Sequence, residues 1–429
     1  MLLCLNLQIC VAFVTQMMTY SKMKHNIPRS LIVAATLTAV QAGTPVVSTD
    51  SANNGDWCTW LQNNPGTLYK NAENPFISLI QFGGRFQWQA AHVDGEDVNG
   101  LDYDDQYDDY RRVRLETKVD LFRYFSINSK MNMVNDGRRS GNDLDWGFDS
   151  FDELIYSFDI KKAFEQGDLD TLKLNYGRHK FNFTEEVHMS SKEILTLERS
   201  AIANKLYGAN SRPTGLTLDV AKGPWSGTLG LFSGDDVEEN IGGWNYGEAY
   251  YVSVGYEQSE NLRYVWDFVH NNAAGGQDTF GYEWATSFAA VYEKDRFGII
   301  ANLMLGDNGD TANGNGAERQ GSFHGLVIMP WYWIVPEKLQ AVTRYQYQGS
   351  SESEGIRLNS RYVRSQHDNP AVDVNSGRGD AHHSIYVGLN YLLCGDNAKI
   401  MSGVEFDHLN TPDGSAQSMS YLIGFRSFF

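Results

Sequence analysis

The chain ends in the stretch SMSYLIGFRSFF, residues 418 to 429, and this stretch decides the fold. Met419, Tyr421 and Ile423 fall on one parity, whereas serines, a glycine and Arg426 fall on the other. Successive side chains of a strand point to opposite faces, so the stretch predicts a strand with one apolar and one polar face. A terminal strand of this kind that ends on an aromatic residue is typical of transmembrane β-barrels, whose apolar face meets lipid. Because hydrocarbon tolerates no open sheet edge, the rest of the chain must close the sheet.

The same alternation recurs through residues 76 to 429 and predicts sixteen strands. Very short connections alternate with long polar ones, as in barrels with short periplasmic turns and long extracellular loops. We therefore predict an all-β fold, a transmembrane antiparallel β-barrel of about sixteen strands in the bacterial outer membrane. The predicted strands are residues 76–92, 110–120, 123–134, 149–161, 169–180, 212–222, 225–234, 248–258, 262–270, 280–293, 296–305, 321–334, 337–347, 382–394, 397–408 and 418–429.

The chain is acidic, with 53 Asp and Glu against 35 Lys and Arg in 429 residues, a net charge of −18. Nucleic acid is excluded as a partner because phosphate backbones bind to basic surfaces. Mean hydropathy is −0.40, and no run of about 20 apolar residues follows the amino-terminal region, which excludes a bundle of membrane helices. Most of the excess acid is predicted to lie in loops, at residues 94–109 and 234–239.

The amino-terminal region predicts export. Met23 is the favoured start, because Lys24 and Arg29 precede an apolar segment at residues 31–40 and a small-residue cleavage site at Ala42. We predict three segments along the chain. They are residues 1–42 (upstream extension and signal peptide), 43–75 (periplasmic leader) and 76–429 (outer-membrane β-barrel).

Several short motifs, taken in order, resemble the phosphate-selective porin O and P family of outer-membrane channels. The resemblance implies a sixteen-stranded trimeric barrel whose third long loop folds inward, with basic side chains that contact a small anion such as phosphate or polyphosphate. The motifs that carry it are Tyr110-Arg111-Arg112-Val113-Arg114-Leu115, Leu174 to Lys180 with Phe181 to Glu186, Leu197-Glu198-Arg199-Ser200, Tyr386 to Tyr391, and the end at Phe429.

Basic residues of inward parity concentrate on the last strand and the first three strands. The third long loop, residues 182–211, adds three more basic residues. Partly desolvated Arg and Lys in a narrow pore attract phosphate through charge-assisted hydrogen bonds. The alternative is that these side chains form ion pairs that only stiffen the barrel. The residues predicted to line the pore and bind anions are Arg85, Arg112, Arg114, Lys118, Lys130, Lys192, Arg199, Lys205 and Arg426.

These observations predict passive diffusion of small anions. Two alternatives stay open, namely a weakly selective or cation-leaning general porin and a surface-anchoring barrel without a transport role. No catalytic constellation, metal-ligand spacing or cofactor motif stands out, so we predict no enzyme and no cofactor. The expected partners are outer-membrane lipid, lipopolysaccharide, small anions and two further copies of the chain.

Cys58 and Cys394 are predicted to lie together on the periplasmic side. Cys394 ends the fourteenth predicted strand, two strands from the closure, and the 17 residues between Cys58 and the first strand can span that distance. The periplasm is oxidising, so a disulfide between them is one prediction. Two free thiols are the alternative, because disulfide geometry is strict.

Overall fold

The computed structural model describes residues 57–134, 138–139, 146–207, 212–234, 244, 247–272, 280–309, 316–358, 360–364 and 369–429. The predicted signal peptide, the first part of the leader (43–56) and the acidic loop beyond Gly234 lie outside the described residues. No helix among the described residues is long and apolar enough to cross a membrane.

Sixteen antiparallel strands form one closed sheet, which confirms the predicted barrel. Each strand pairs with its neighbours in the sequence, and the last strand pairs with both the fifteenth and the first. The strands are β1 (Ile77–Glu96), β2 (Asp102–Leu121), β3 (Phe125–Val134), β4 (Trp146–Asp159), β5 (Thr171–Arg178), β6 (Thr214–Lys222), β7 (Trp225–Ser233), β8 (Glu248–Ser259), β9 (Leu262–Asn271), β10 (Trp284–Lys294), β11 (Phe297–Asp307), β12 (Ser322–Val335), β13 (Leu339–Ser350), β14 (Ala381–Leu392), β15 (Ala398–Thr411) and β16 (Gly414–Phe428).

The remaining elements are short. Four two- to four-residue strands are Thr67–Lys70, Arg138–Arg139, Ile356–Arg357 and Arg378–Gly379. The helices are Trp57–Gln62, Ile160–Ala163, Glu185–His188 and Ala201–Tyr207, with 3₁₀ turns at Ala317–Arg319 and Asn375–Gly377.

One end of the barrel carries the short turns. Gly223 and Gly395 both have φ of +55° there, in the left-handed region that tight hairpin turns require and that glycine adopts without strain. We call this end the short-turn end and the opposite end the loop end.

Two of the predicted long connections at the loop end are wrong. Residues 93–109 and 409–417 largely continue the hairpins, so that β1 and β2 are joined only by residues 97–101. Tyr103 and Tyr107 point inward and are buried, whereas Asp102 and Asp104 alternate with them and are exposed. The acidic composition suggested a loop, but these acids belong to strands that extend beyond the apolar band, with Asp102 and Asp104 on the solvated outer face and Asp105 and Asp109 buried inside.

The two parities of β16 face as predicted. Tyr421 and Ile423 are exposed on the outer face, while Ser420 and Arg426 are buried inside. The expectation of a polar inner face on every strand is wrong for β11 and β12. On β11 and β12 the inward side chains include Ile300, which is buried with Met304, Val327 and Met329. Part of the interior is therefore a dry core, and a loop covers it.

The leader is fixed to the short-turn end. Helix Trp57–Gln62 lies on the turn between β14 and β15, and a disulfide joins Cys58 to Cys394, which confirms the predicted bridge. Leu61 packs against Cys394 and Ala398. Strand Thr67–Lys70 pairs with residues 79–81 of β1, where β1 extends past the end of β16. The leader thus satisfies a sheet edge that would otherwise be open.

Candidate functional site

A segment between β5 and β6 fills one side of the barrel. We call residues 179–207 the inner loop. Its side chains Phe181, Phe183, Leu197 and Ile202 are fully buried. A Cβ on Gly325 of β12 would lie 2.6 Å from Ile202 Cγ1. Because Gly325 has no side chain, the inner loop can pack closely against β12. The inner loop follows the apolar wall because that wall offers it a dry surface.

Ion pairs of two buried inner-loop carboxylates hold the inner loop to β9 and β13. Arg263 forms two hydrogen bonds with the Glu185 carboxylate, one of them 2.9 Å long. Arg344 donates to Glu186 at 3.2 Å and to Glu405 at 2.6 Å. The Arg344 side chain is 1% exposed, so its charge depends on these two carboxylates for compensation.

Two of the predicted pore residues also hold this loop. Arg426 of β16 donates to the backbone oxygens of Ser191, at 3.2 Å, and Leu197. Arg85 of β1 pairs with Glu116 at 2.7 Å and donates to Ser191 Oγ. Arg426 is 1% exposed, so its guanidinium faces the inner loop.

Two cavities remain on the other side of the inner loop, against β2 to β7. The cavity toward the short-turn end has a volume of about 520 Å³, and that toward the loop end about 570 Å³. Both are basic. The first is lined by eight cations (Arg85, Arg112, Arg114, Lys130, Lys173, Lys180, Arg199, Arg212) and three acids (Asp152, Glu153, Asp219). The second is lined by ten cations (Arg111, Arg112, Arg114, Arg178, Arg199, Lys205, Arg212, Arg357, Arg364, Arg378) and two acids (Asp152, Glu198).

The two cavities meet at five residues that line both of them. These residues, which we call the junction, are Arg112 and Arg114 of β2, Asp152 of β4, Arg199 of the inner loop and Arg212 before β6. Four guanidinium groups and one carboxylate therefore surround the passage from one cavity to the other.

Hydrogen bonds fix the junction arginines. Asp152 lies 2.7 Å from Arg114 Nη1 and 2.6 Å from Arg212 Nη2. Arg199 donates to the Glu186 backbone oxygen at 2.7 Å. Arg112 donates to the neutral Gln87 side chain at 2.9 Å and forms no ion pair with any described residue. Arg112 is thus the junction cation whose charge is least compensated.

A β-bulge places both members of an arginine pair inside the barrel. Gln87 pairs with Arg112 and Gln89 with Asp109, so two residues of β2 oppose one residue of β1. Arg111 consequently turns inward and pairs with Glu198 of the inner loop at 2.6 Å. A strict period of two would place Arg111 on the lipid face.

A second loop also enters the barrel, which the sequence did not predict. It joins β13 to β14, and Tyr362 anchors it, donating to Asp109 at 2.8 Å and accepting from Gln89 Nε2 at 2.7 Å. This second inner loop brings Arg357 and Arg378 to the loop-end cavity, where they are directly opposite each other on paired strands. Burial, together with the positive charges of Arg319 and Arg357, lowers the pKa of Arg378 to about 10.

The nine predicted pore residues divide into three groups. Arg85, Arg112, Arg114, Lys130 and Arg199 line the short-turn cavity, and Lys205 lines the loop-end cavity with Arg112, Arg114 and Arg199. Lys118, Lys192 and Arg426 line neither of these two cavities. Cavity-lining basic residues outside the nine predicted ones are Arg111, Lys173, Arg178, Lys180, Arg212, Arg357, Arg364 and Arg378. Arg178 and Lys180 belong to a motif that carries the family resemblance, which is the signal that could have identified them.

Solved structures with the same fold include several porins. The anion-selective porin from Comamonas acidovorans is 10% identical, with 82% of this chain and 99% of that chain covered at a TM-score of 0.52. The outer membrane channel DcaP of Acinetobacter baumannii is 14% identical, with 84% and 100% covered at a TM-score of 0.53. OmpF of Salmonella typhi, solved with daunomycin, is 12% identical, with 84% and 99% covered at a TM-score of 0.52.

None of the curated proteins matches the sequence. The family described as phosphate-selective porin O and P matches residues 80–304, which is more than half of the chain. This family and this fold are those of channels. The chain therefore belongs to the phosphate-selective porin O and P family and is a channel of the bacterial outer membrane.

Proposed function

We propose that the channel conducts small anions and that the junction is its filter. The observation that carries this proposal is the composition of the junction, where four arginines face one aspartate. An anion that passes loses part of its hydration shell, and guanidinium donors replace the lost water contacts. Asp152 holds Arg114 and Arg212 in place, while Arg112 keeps hydrogen-bonding capacity for the permeating ion.

The basic cavities on either side support the same function. Cations outnumber acids among the lining residues of both, which raises the local concentration of anions before they reach the junction. The net negative charge of the whole chain is compatible with conduction of anions. The acids Asp94, Asp102 and Asp104 lie exposed on β1 and β2 at outward positions, away from the cavities.

Phosphate or polyphosphate is the proposed solute class. The description of the family supports it, as does the planar fork of arginine, which matches phosphate oxygens in pairs. We also propose the homotrimeric assembly that the family resemblance implies. Native mass spectrometry in detergent would test it, since a monomer that persists at high protein concentration contradicts it.

Reversal potentials in planar bilayers under a KCl gradient test the selectivity. Replacing Arg112 with Gln removes one unit charge about 6 Å from a passing ion, which at the dielectric constant of water lowers the permeability to a monovalent anion on the order of threefold. We expect Arg112→Gln to shift the reversal potential toward cations and to weaken the block of chloride current by added phosphate. Arg296→Gln is the matched control, because Arg296 is exposed in a short turn.

The two alternatives give different results in the same recordings. A channel that prefers potassium to chloride before any substitution is a cation-leaning porin, and the anion proposal is then wrong. A barrel that inserts into the bilayer and conducts no ions is a surface anchor.

A further inference from the structure

The outer face of β12 to β15 carries histidines but no acidic side chain and no lysine or arginine. Outward-facing residues of these four strands are all described, and none of them is Asp, Glu, Lys or Arg. Three are histidines, namely His324 on β12, His383 on β14 and His408 on β15. The first two are exposed and the third is half-buried.

The three histidines form one cluster with two tyrosines of β13. His383 is directly opposite His408 on one side and Tyr347 on the other. The ring of Tyr347 lies 4.8 Å from that of His383 and 5.6 Å from that of His324. Tyr345 Oη lies 3.0 Å from His383 Nδ1. We call these five residues the histidine patch.

The histidine patch lies at the edge of the lipid-facing band. On β14 the outward residues below His383 are Ile385, Val387, Leu389 and Tyr391, all exposed. Eight residues of a tilted strand cover about 20 Å along the membrane normal, close to the height of the apolar band of such barrels, about 25 Å. With Tyr391 at the short-turn interface, His383 stands at the height of the outer-leaflet head groups.

The eight-residue spacing between His383 and Tyr391 on β14 has counterparts on β12 and β15. His324 lies eight residues from the exposed Tyr332 on β12, and His408 lies eight residues from the exposed Ile400 on β15. The three histidines thus reach the same border from three strands, and the histidine patch is continuous with the surface that contacts lipid.

We propose that the histidine patch binds the phosphate groups of lipopolysaccharide in the outer leaflet, more tightly as pH falls. Histidine becomes positively charged between pH 8 and pH 5, and clustered protonated imidazoles then attract phosphate while the tyrosine hydroxyls supply further donors. Gln417 of β16 is opposite His408 on one side and Glu96 of β1 on the other, so the first acids across the outer face in this direction are Glu96 and Asp94 of β1. The proposal does not rest on the function of the pore, which is on the other side of the wall.

Binding of lipid A to the detergent-purified full chain tests the proposal by native mass spectrometry at pH 5.5 and pH 7.5. The probe is bisphosphorylated lipid A, compared with the same lipid after phosphatase treatment. With about 1 kcal/mol per positive charge near an anionic surface, we expect binding of the phosphorylated lipid to be at least about tenfold tighter at pH 5.5 than at pH 7.5. The dephosphorylated lipid should show no such dependence.

Replacing His324, His383 and His408 together with Gln should abolish the pH dependence and leave conductance unchanged. His270→Gln is the matched control, because His270 is an exposed outward histidine at the loop end of β9, away from the histidine patch. Equal binding of phosphorylated and dephosphorylated lipid A by the unmodified chain overturns the proposal, because the residues are then interfacial anchors only. Unchanged pH dependence in the triple variant also overturns it. Should that variant fail to fold, the comparison of the two lipids on the unmodified chain still decides.

Discussion

Replacing Arg344 with Met should release the inner loop from the wall. Arg344 donates to Glu186 at 3.2 Å, to Thr196 Oγ1 at 3.1 Å, to the Glu198 backbone oxygen at 2.7 Å and to Glu405 at 2.6 Å. Its removal leaves two buried carboxylates without their cation. Breaking a buried ion pair from one side costs about 3–5 kcal/mol, and methionine recovers little of that by packing.

Two assays report the consequence. Heat-induced loss of the folded band on unboiled gels measures stability, and single-channel recordings measure the width of the pore. We expect Arg344→Met to unfold at a lower temperature and to show larger, noisier conductance, because a loosened inner loop narrows the lumen less. Lys162→Met is the matched control, since Lys162 pairs with Asp159 on the surface with 68% of its side chain exposed. Such exposed pairs contribute only about 0–1 kcal/mol.

The double variant Arg344→Met, Glu186→Gln isolates the charge effect. It removes one of the two stranded carboxylates, so it should recover part of the stability that the single variant loses. If Arg344→Met is as stable as the Lys162→Met control and conducts like the unmodified channel, the inner loop is held by its apolar contacts alone, and the reasoning from buried charge is wrong.

Two further predictions concern the ends of the barrel. Peptides that contain Cys58 and Cys394 should be linked in a non-reduced digest, and Cys58→Ser should speed proteolysis of residues 57–75 several-fold without changing conductance; free thiols in fresh membranes would contradict the bridge. At the loop end, burial raises the pKa of Asp97, but backbone hydrogen bonds from Asp373, Leu101 and Asn99 outweigh burial and hold this pKa below its ordinary value of 3.8. The contribution of the Asp97 carboxylate is therefore present at neutral pH and is lost only as pH falls through that lowered value. Asp97→Ala should speed exchange of the Asp373 backbone amide hydrogen at pH 7. In the unmodified chain, this amide should exchange faster only in strong acid. Equal exchange rates of the two proteins at pH 7 would refute the role of the carboxylate.

The barrel could be predicted from local sequence because each strand shows the alternation of apolar and polar residues by itself. A strand in a membrane sheet must alternate, and a tight turn must break the alternation, so sixteen strands and their order follow from the sequence alone. The disulfide followed from the same topology, because the leader and Cys394 both belong to the short-turn end. The alternation of apolar and polar residues does not show where a strand departs from the period of two.

The β-bulge beside Arg111 and Arg112 is such a departure. Both side chains point inward because one extra residue is inserted opposite β1. The bulge cannot be recognised from the sequence of β2 alone, because it depends on how β2 pairs with β1. The arginines of the second inner loop were missed for a related reason. Arg357 and Arg378 reach the cavity on a loop that Tyr362 anchors to Asp109 across the lumen, which is a long-range contact.

The apolar side of the interior can be recognised in the sequence. On β11 the inward residues Ile300 and Met304 are as apolar as the outward residues, and on β12 Val327 and Met329 repeat this. A strand that is apolar on both faces cannot line a water-filled passage, so something must cover its inner face. The inner loop supplies Ile202, an apolar side chain that packs against Gly325 of β12. Strands that keep polar residues on their inward face, such as β2 and β3, then form the wet side of the pore, and two of the junction arginines, Arg112 and Arg114, lie on β2. Comparing the two faces of each strand therefore locates both the wall against which an inner loop packs and the proposed path of the solute.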